Sequence, residues 1–157
     1  MKNIKTIIES GIESIRATGR QKRQRKELKT RLMADRVEDT PIPNIYKVEF
    51  ISKSGEGYDK YNLYDAKENF YLFNQCKTTL KHLKYGLYFV RDHEKPTEDC
   101  GAGIFDATTN WFVYAKRPSL IIRQLPDKKT DAVLLQSNNE LIVFNLKTKS
   151  VERVIGI

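Results

Sequence analysis

Residues 46–91 read YKVEFISKSGEGYDKYNLYDAKENFYLFNQCKTTLKHLKYGLYFVR, and this stretch carries the strongest fold signal in the chain. Apolar and polar residues alternate over several short runs, which is typical of half-buried β-strands joined by turns. Residues 78–84 place two leucines three positions apart and indicate one or two helical turns before a last strand. This order of strands, short helix and strand predicts a small antiparallel β-barrel, OB-like or of a similar kind.

Strand signals continue to the C-terminus. Further strands are expected at residues 104–106, 111–115 and 119–125. Aliphatic runs separated by short polar turns predict a three-stranded β-meander at residues 132–136, 141–146 and 151–157. The inward face of this meander is expected to consist of Val133, Leu135, Leu141, Val143, Val151 and Val154. The runs show no repeat of the length that would predict a solenoid or a propeller.

The N-terminal part of the chain reads as helix. Isoleucines at helical spacing in residues 4–15 predict an amphipathic helix, whose apolar stripe would cover its own domain, a protein partner or a second copy. A second, strongly charged helix is expected to follow and to reach about residue 36. Pro41 and Pro43 end the helical part, because proline lacks an N–H donor. The predicted class is α+β and mainly β, with a basic helical extension at 1–42 and an antiparallel β-domain at 43–157.

The charge of the chain indicates an acidic partner. Formal net charge is +8 and the isoelectric point is about 9.4, so polyanions attract the protein at neutral pH. The first 40 residues contain 11 basic and 6 acidic side chains. Such a segment is typical of helices that contact nucleic-acid phosphates, although a solvated helix face or an acidic protein surface would also explain it. The residues predicted to contact phosphate are Arg20, Lys22, Arg23, Arg25, Lys26, Lys29 and Arg31.

Aromatic residues offer a second way to hold nucleic acid. Alternate side chains of a strand share a face, so part of the run at 58–64 would present rings beside a cation. Surfaces of that kind stack single-stranded bases, and an aromatic residue flanked by cations recurs at 111–117. The candidate base-binding residues are Tyr58, Lys60, Tyr64, Trp111, Lys116 and Arg117. Packing within the core is the alternative explanation for these rings.

No catalytic signature is present in the sequence. Carboxylates near the predicted strand ends leave a metal-dependent nuclease as an alternative, namely Asp59, Asp65, Glu68, Asp92 and Asp106. The loop that contains His93, Asp99 and Cys100 lacks the paired Cys or His spacing of a structural zinc site, so neither a metal nor a cofactor is expected. Two cysteines are too few for a disulfide framework, and no apolar run is long enough for a membrane span. A cytoplasmic location is therefore expected, which includes a host cell or the interior of a virion.

These features lead to one main functional hypothesis. The chain is predicted to be a non-enzymatic nucleic-acid-binding accessory protein, which would hold single-stranded DNA or RNA on its aromatic residues or a duplex backbone on its basic helix. The alternative is a protein-interaction module, such as a virion or assembly component or an inhibitor of a host enzyme. In that case the N-terminal helices would bind a protein partner or a second copy.

Overall fold

A computed structural model describes residues 19–53, 57–92 and 101–156 of the 157-residue chain. In these ranges the chain forms one helix, α1, which covers residues 19–31. Twelve strands follow: β1 (Arg36–Asp39), β2 (Ile45–Phe50), β3 (Lys60–Asp65), β4 (Phe70–Tyr71), β5 (Thr79–His82), β6 (Leu87–Arg91), β7 (Ala102–Asp106), β8 (Trp111–Arg117), β9 (Ile121–Gln124), β10 (Ala132–Ser137), β11 (Glu140–Asn145) and β12 (Ser150–Gly156).

The strands form three separate sheets of four strands each. Sheet A contains β1 to β4, sheet B contains β5 to β8, and sheet C contains β9 to β12. Each sheet is an antiparallel meander, in which strands that follow one another in the chain are also neighbours in the sheet. The described residues contain no closed barrel, so the prediction of an OB-like barrel is wrong.

The short helix predicted at residues 78–84 is also wrong, because this segment forms β5. Leu80 pairs with Val90 of β6 and is almost fully buried. Leu83 is buried as well, just after the strand ends. Two leucines three residues apart fit a helix, but they also fit a strand in which the first leucine is buried and the second follows the end of the strand. The segment forms a strand because it pairs with the apolar strand β6.

The prediction of two N-terminal helices ahead of a barrel is wrong, because the described residues contain one helix and three sheets. The first predicted helix, at residues 4–15, lies outside the described residues. The second is shorter than expected, since α1 ends at residue 31 and Arg36–Asp39 pairs with β2. A strand of the predicted extension therefore belongs to the same sheet as the predicted β-domain. The domain boundary near residue 42 stays a prediction.

Sheet B lies in the middle of the molecule, with sheet A on one side and sheet C on the other. Successive residues of β6 point to opposite faces. Leu87 and Phe89 pack against sheet C, whereas Tyr88 and Val90 pack against sheet A. The far side of sheet A is covered by α1, around Leu28. The layers are therefore α1, sheet A, sheet B and sheet C.

The C-terminal meander is present as β10 to β12, but its predicted inward face is only partly right. Val133 pairs with Phe144 and Leu135 with Ile142, and these four side chains are buried against sheet B. The predicted inward residues on β11, Leu141 and Val143, lie on the other face. Those on β12, Val151 and Val154, are exposed. Every residue from Leu141 to Phe144 is apolar, so alternation alone does not show which of them point inward.

The chain contains an internal repeat, contrary to the expectation from sequence. The hairpins between the last two strands of each sheet read YDAKENF at 64–70, FDATTNW at 105–111 and FNLKTKS at 144–150. In each hairpin, a side-chain oxygen of the second residue accepts backbone N–H groups of the turn; these residues are Asp65, Asp106 and Asn145. They are 41 and 39 residues apart. The repeating unit is thus about 40 residues long, the length of a propeller blade.

The backbone of the hairpins repeats as well. The residue before the last strand of each sheet has a positive φ, close to 58°, at Asn69, Asn110 and Lys149. The third hairpin residue always donates its N–H to the carbonyl that precedes the second strand: Ala66 to Asn44, Ala107 to Gly86 and Leu146 to Asp131. The fold is therefore three copies of one four-stranded unit, packed face to face in a row.

Asp106 links two of these units, because its carboxylate is fully buried beneath the hairpin of the next sheet. One oxygen accepts hydrogen bonds from the N–H and the hydroxyl of Thr108, and the other receives Lys149 Nζ. Burial alone raises the pKa of the Asp106 carboxyl, but the hydrogen bonds from Lys149 and Thr108 outweigh it, and the pKa lies below its ordinary value. Asp106 is therefore ionised in the folded protein at neutral pH.

Replacing Asp106 with Asn is expected to lower the free energy of unfolding by about 1–3 kcal/mol at neutral pH, because Asn keeps a cap for Thr108 but gives Lys149 no charge. The folded pKa of Asp106 is below the unfolded value, so its contribution is present above about pH 3.9 and is lost as the pH falls through the folded pKa. Urea unfolding of both proteins at several pH values measures this. A stability difference that stays constant from pH 7 to acid would contradict the ionic role.

Candidate nucleic-acid interface

Helix α1 forms because its residues are mostly Arg, Lys, Gln and Glu, which have high helix propensity. It ends in a Schellman motif, in which the Ala34 N–H donates to the Lys29 carbonyl at 3.0 Å and the Met33 N–H donates to the Thr30 carbonyl at 3.3 Å. Met33 occupies the left-handed position of this motif with φ of 55°. Glycine is usual there, because it has no Cβ to clash with the backbone.

Replacing Met33 with Gly is expected to raise the free energy of unfolding by about 1 kcal/mol, because the steric cost of a left-handed Met is removed. The Met33 side chain is 85% exposed, so almost no packing is lost. Chemical denaturation measures the change, with Met33→Ala as the control that shortens the side chain but keeps Cβ. If the Gly variant is no more stable than the Ala variant, backbone strain at this position is not the reason.

The inner side of α1 is fixed to sheet A by one leucine and three polar side chains. Leu28 is buried among Tyr46, Val48 and Tyr64. Gln24 accepts a hydrogen bond of 2.7 Å from the Tyr46 hydroxyl. Burial raises the pKa of this hydroxyl, so it remains protonated and can donate. The helix is thus held in a defined orientation over the sheet.

Two of the predicted phosphate-binding cations take part in this attachment. Arg25 forms an ion pair with Asp39 of β1. Arg31 donates to the Asn69 Oδ1 at 3.2 Å, and its guanidinium carbon lies 5.9 Å from the centre of the Tyr64 ring. These contacts fix the helix to both edges of sheet A. Arg25 and Arg31 are therefore less available to an external ligand than the other cations of α1.

The outward side of α1 carries most of the remaining cations. At 3.6 residues per turn, positions 22, 23 and 26 lie about 120–160° around the helix from Leu28. Lys29, about 100° from Leu28, lies at the edge of this outward half, and Arg20, about 80° away, lies just outside it. All five side chains are exposed. None of them forms an ion pair or a side-chain hydrogen bond with the part of the chain that the structure describes. We call Lys22, Arg23, Lys26 and Lys29 the outward cations.

The aromatic surface expected on β3 is not present along the whole strand. Tyr64 is only 5% exposed, since its ring packs under α1 and against Tyr71. Asn62 on the same face is also buried, and its amide donates to the Phe73 carbonyl at 3.0 Å. Tyr58, 65% exposed, and the exposed Lys60 lie before or at the start of the strand. The face is closed at Tyr64 because α1 covers sheet A.

The second aromatic candidate is exposed, but the two cations predicted to bind beside it form ion pairs within the protein. Trp111 opens β8 and is 73% exposed. Lys116 donates to Asp92 at 2.7 Å, and Arg117 pairs with Glu140 of sheet C at 3.4 Å. The structure therefore places Tyr64, Lys116 and Arg117 in intramolecular contacts. Their predicted contacts with nucleic acid stay predictions.

Four of the five carboxylates considered for a nuclease make structural contacts, namely Asp59, Asp65, Asp92 and Asp106. Asp65 caps a hairpin turn, Asp59 accepts the Ser52 N–H at 2.9 Å, and both Asp92 oxygens receive lysine side chains. The described residues contain no group of three His, Cys, Asp or Glu side chains that could hold a metal ion. The loop with His93 and Cys100 lies outside the described residues.

The sequence matches no protein-family model and no curated protein at a significant level. In the described part of the chain, no helix is both long and apolar enough to cross a bilayer.

Proposed function

We propose that this protein binds nucleic acid through the outward cations of α1, as a non-enzymatic accessory protein that contacts the phosphate backbone. The observation that supports this proposal is that the cations of α1 fall into two sets, one facing sheet A and one facing solvent. Those facing sheet A hold the helix in place, whereas Lys22, Arg23, Lys26 and Lys29 face solvent without a partner in the described chain. A rigidly held row of unpaired cations attracts a polyanion and loses little side-chain packing on binding.

The dimensions of this face suit a polyphosphate. Lys22 and Lys29 are seven residues apart, which is about 10 Å along a helix. Duplex DNA carries one charge per about 1.7 Å of its axis, so several phosphates lie within reach of four side chains. Three of the four outward cations are lysines, which bind phosphate as point charges rather than as bidentate readers of base edges. Binding is therefore expected to depend weakly on base sequence.

A duplex is the preferred form of the ligand in this proposal. Base stacking would need open rings beside the cations, and Tyr64 is buried under α1 itself. Tyr58 and Trp111 are exposed, and they remain candidates for contacts with single strands. A nucleic-acid ligand also fits the cytoplasmic, host-cell or virion location expected from the sequence.

The proposal is tested by titrating the protein into fluorescent duplex DNA, duplex RNA and single-stranded DNA at several salt concentrations. With four phosphate contacts, a log–log plot of duplex-DNA affinity against salt should have a slope of about −3.6. Affinity for the duplex should then fall roughly 100-fold between about 50 and 200 mM salt. Tighter binding to the single strand, or no duplex binding at low salt, would contradict the proposal. The second outcome would favour an acidic protein surface as the partner of α1.

A further inference from the structure

Met33 is the most exposed large hydrophobic residue in the part of the chain that the structure describes, at 85% exposure. It directly follows the last turn of α1, and its N–H donates to the Thr30 carbonyl at 3.3 Å. Leu32 and Ala34, on either side of it, pack into the cluster around Leu28. Met33 therefore points away from sheet A, as the outward cations do.

Folding stability does not explain a methionine at this position. The left-handed φ of 55° brings its Cβ against the backbone, which costs free energy for a methionine but not for a glycine. Two other residues with a left-handed backbone use their side chains within the protein, since Tyr85 donates to Asp131 and Lys149 pairs with Asp106. The Met33 side chain makes no comparable contact with the described residues. A strained backbone beneath an exposed side chain is typical of a functional position.

The surroundings of Met33 suit a contact with bases rather than with a phosphate. Lys26 and Lys29 are outward cations, and both lie within the two helical turns that precede Met33. The carbonyl end of a helix carries a partial negative charge, which disfavours a phosphate at Met33 itself. The unbranched thioether side chain of methionine adapts to irregular apolar surfaces. Phosphates bound by the lysines would therefore flank an apolar contact at Met33.

The minor groove of duplex DNA offers this combination of contacts. The groove is about 6 Å wide between two rows of phosphates, so one side chain can enter it while neighbouring cations hold the backbone. Methionine is among the apolar residues that minor-groove proteins insert between base pairs. The inserted side chain partly unstacks one base step and is itself removed from water.

We infer that Met33 enters the minor groove of the duplex held by the outward cations and wedges between two base pairs. The inference rests on the proposed function and adds a preference for deformable DNA. Pyrimidine–purine steps such as TA unstack easily, whereas runs of adenine are stiff. The wild-type protein should therefore bind a duplex with a central TA step several-fold more tightly than the same duplex with AA in its place.

Titration of the full chain into duplexes that carry 2-aminopurine at the central step tests the inference. This base fluoresces more strongly when it is unstacked, so the wild-type protein should raise the signal. Met33→Ala should bind about tenfold more weakly, lose the preference for TA and leave the fluorescence unchanged. Met33→Leu keeps an apolar side chain of similar size and should retain most of the affinity. Neither variant changes the charge, so the salt slope should stay as in the wild type.

Met33→Gly separates a binding role from a structural one. This variant should unfold at a higher urea concentration than the wild type and still lose about tenfold in affinity for the duplex. Loss of both stability and affinity would assign Met33 to the fold and overturn the inference.

The inference and the proposed function fail in different ways. If the wild type binds the duplex with the expected salt slope and Met33→Ala binds equally well, the wedge is overturned while the phosphate contacts stand. The exposed methionine would then be assigned to a protein partner. If the wild type binds no duplex at low salt, the proposed function fails and the wedge fails with it.

Discussion

Replacing Lys22, Arg23, Lys26 and Lys29 together with glutamine is expected to weaken duplex binding by roughly 1,000-fold at about 0.1 M salt and to flatten its salt dependence. These four side chains supply the phosphate contacts in our proposal, and each contact releases counterions. Fluorescence anisotropy with a labelled duplex measures both effects. Glutamine preserves helix propensity, so α1 should remain folded.

A matched control separates these contacts from net charge. Lys81, Lys128, Lys129 and Lys147 are exposed in sheets B and C or their loops, away from α1, and their replacement with glutamine removes the same number of charges. This control variant should bind the duplex with nearly the wild-type salt slope. If both variants lose affinity equally, the protein attracts nucleic acid through its overall charge, and α1 has no special role.

Replacing Phe144 with Ala is expected to lower the free energy of unfolding by about 3–5 kcal/mol, which is a large part of the stability of a small domain. Phe144 is fully buried between sheets B and C, and its ring packs edge-to-face on Tyr114 at 5.8 Å between centroids. Loss of the ring leaves a cavity that the flanking sheets cannot easily close. Thermal and urea unfolding measure the effect.

Phe70→Ala is the matched control, because the same ring is removed from a position that is 43% exposed at the edge of sheet A. Its cost should be no more than about 1 kcal/mol. Similar losses at both positions would mean that the interface between sheets B and C contributes no more than the surface does, which contradicts the stacked arrangement.

Much of the β-structure could be predicted from the sequence, because alternating apolar and polar residues directly indicate half-buried strands. The meander at the C-terminus, for example, has strands close to the expected positions. The sheet to which each strand belongs could not be predicted in the same way. Sheet B is buried on both faces, so β6 reads as the unbroken apolar run Leu87–Val90 and gives no sign of which side is inward.

The repeat was predictable in principle, because its signal is local. Asp65, Asp106 and Asn145 each follow an aromatic residue and precede a small or aliphatic one, at intervals of about 40 residues. The sequence between these hairpins differs from unit to unit, and its loops differ in length. The 40-residue period is therefore hard to see when only composition and hydrophobic pattern are compared. Three hairpins with one capping pattern would have predicted three four-stranded units rather than a barrel.

The sequence identified the segment that carries the candidate site, but not which of its side chains face outward. Charge density identified α1, whereas the choice of outward cations depends on which residue faces sheet A. Leu28 supplies that information, because a single buried leucine fixes the helical wheel. The burial of Tyr64 could not be read from β3 alone, since it follows from the packing of α1 on that face.

Footprinting of lysines by acetylation, with and without duplex DNA, is the most direct test of the outward face. Mass spectrometry then reports the protection of each lysine in one sample. Our proposal predicts that the duplex protects Lys22, Lys26 and Lys29, while Lys81, Lys128 and Lys129 react as before. Equal protection of both groups, or protection confined to the second, would contradict a nucleic-acid interface on α1.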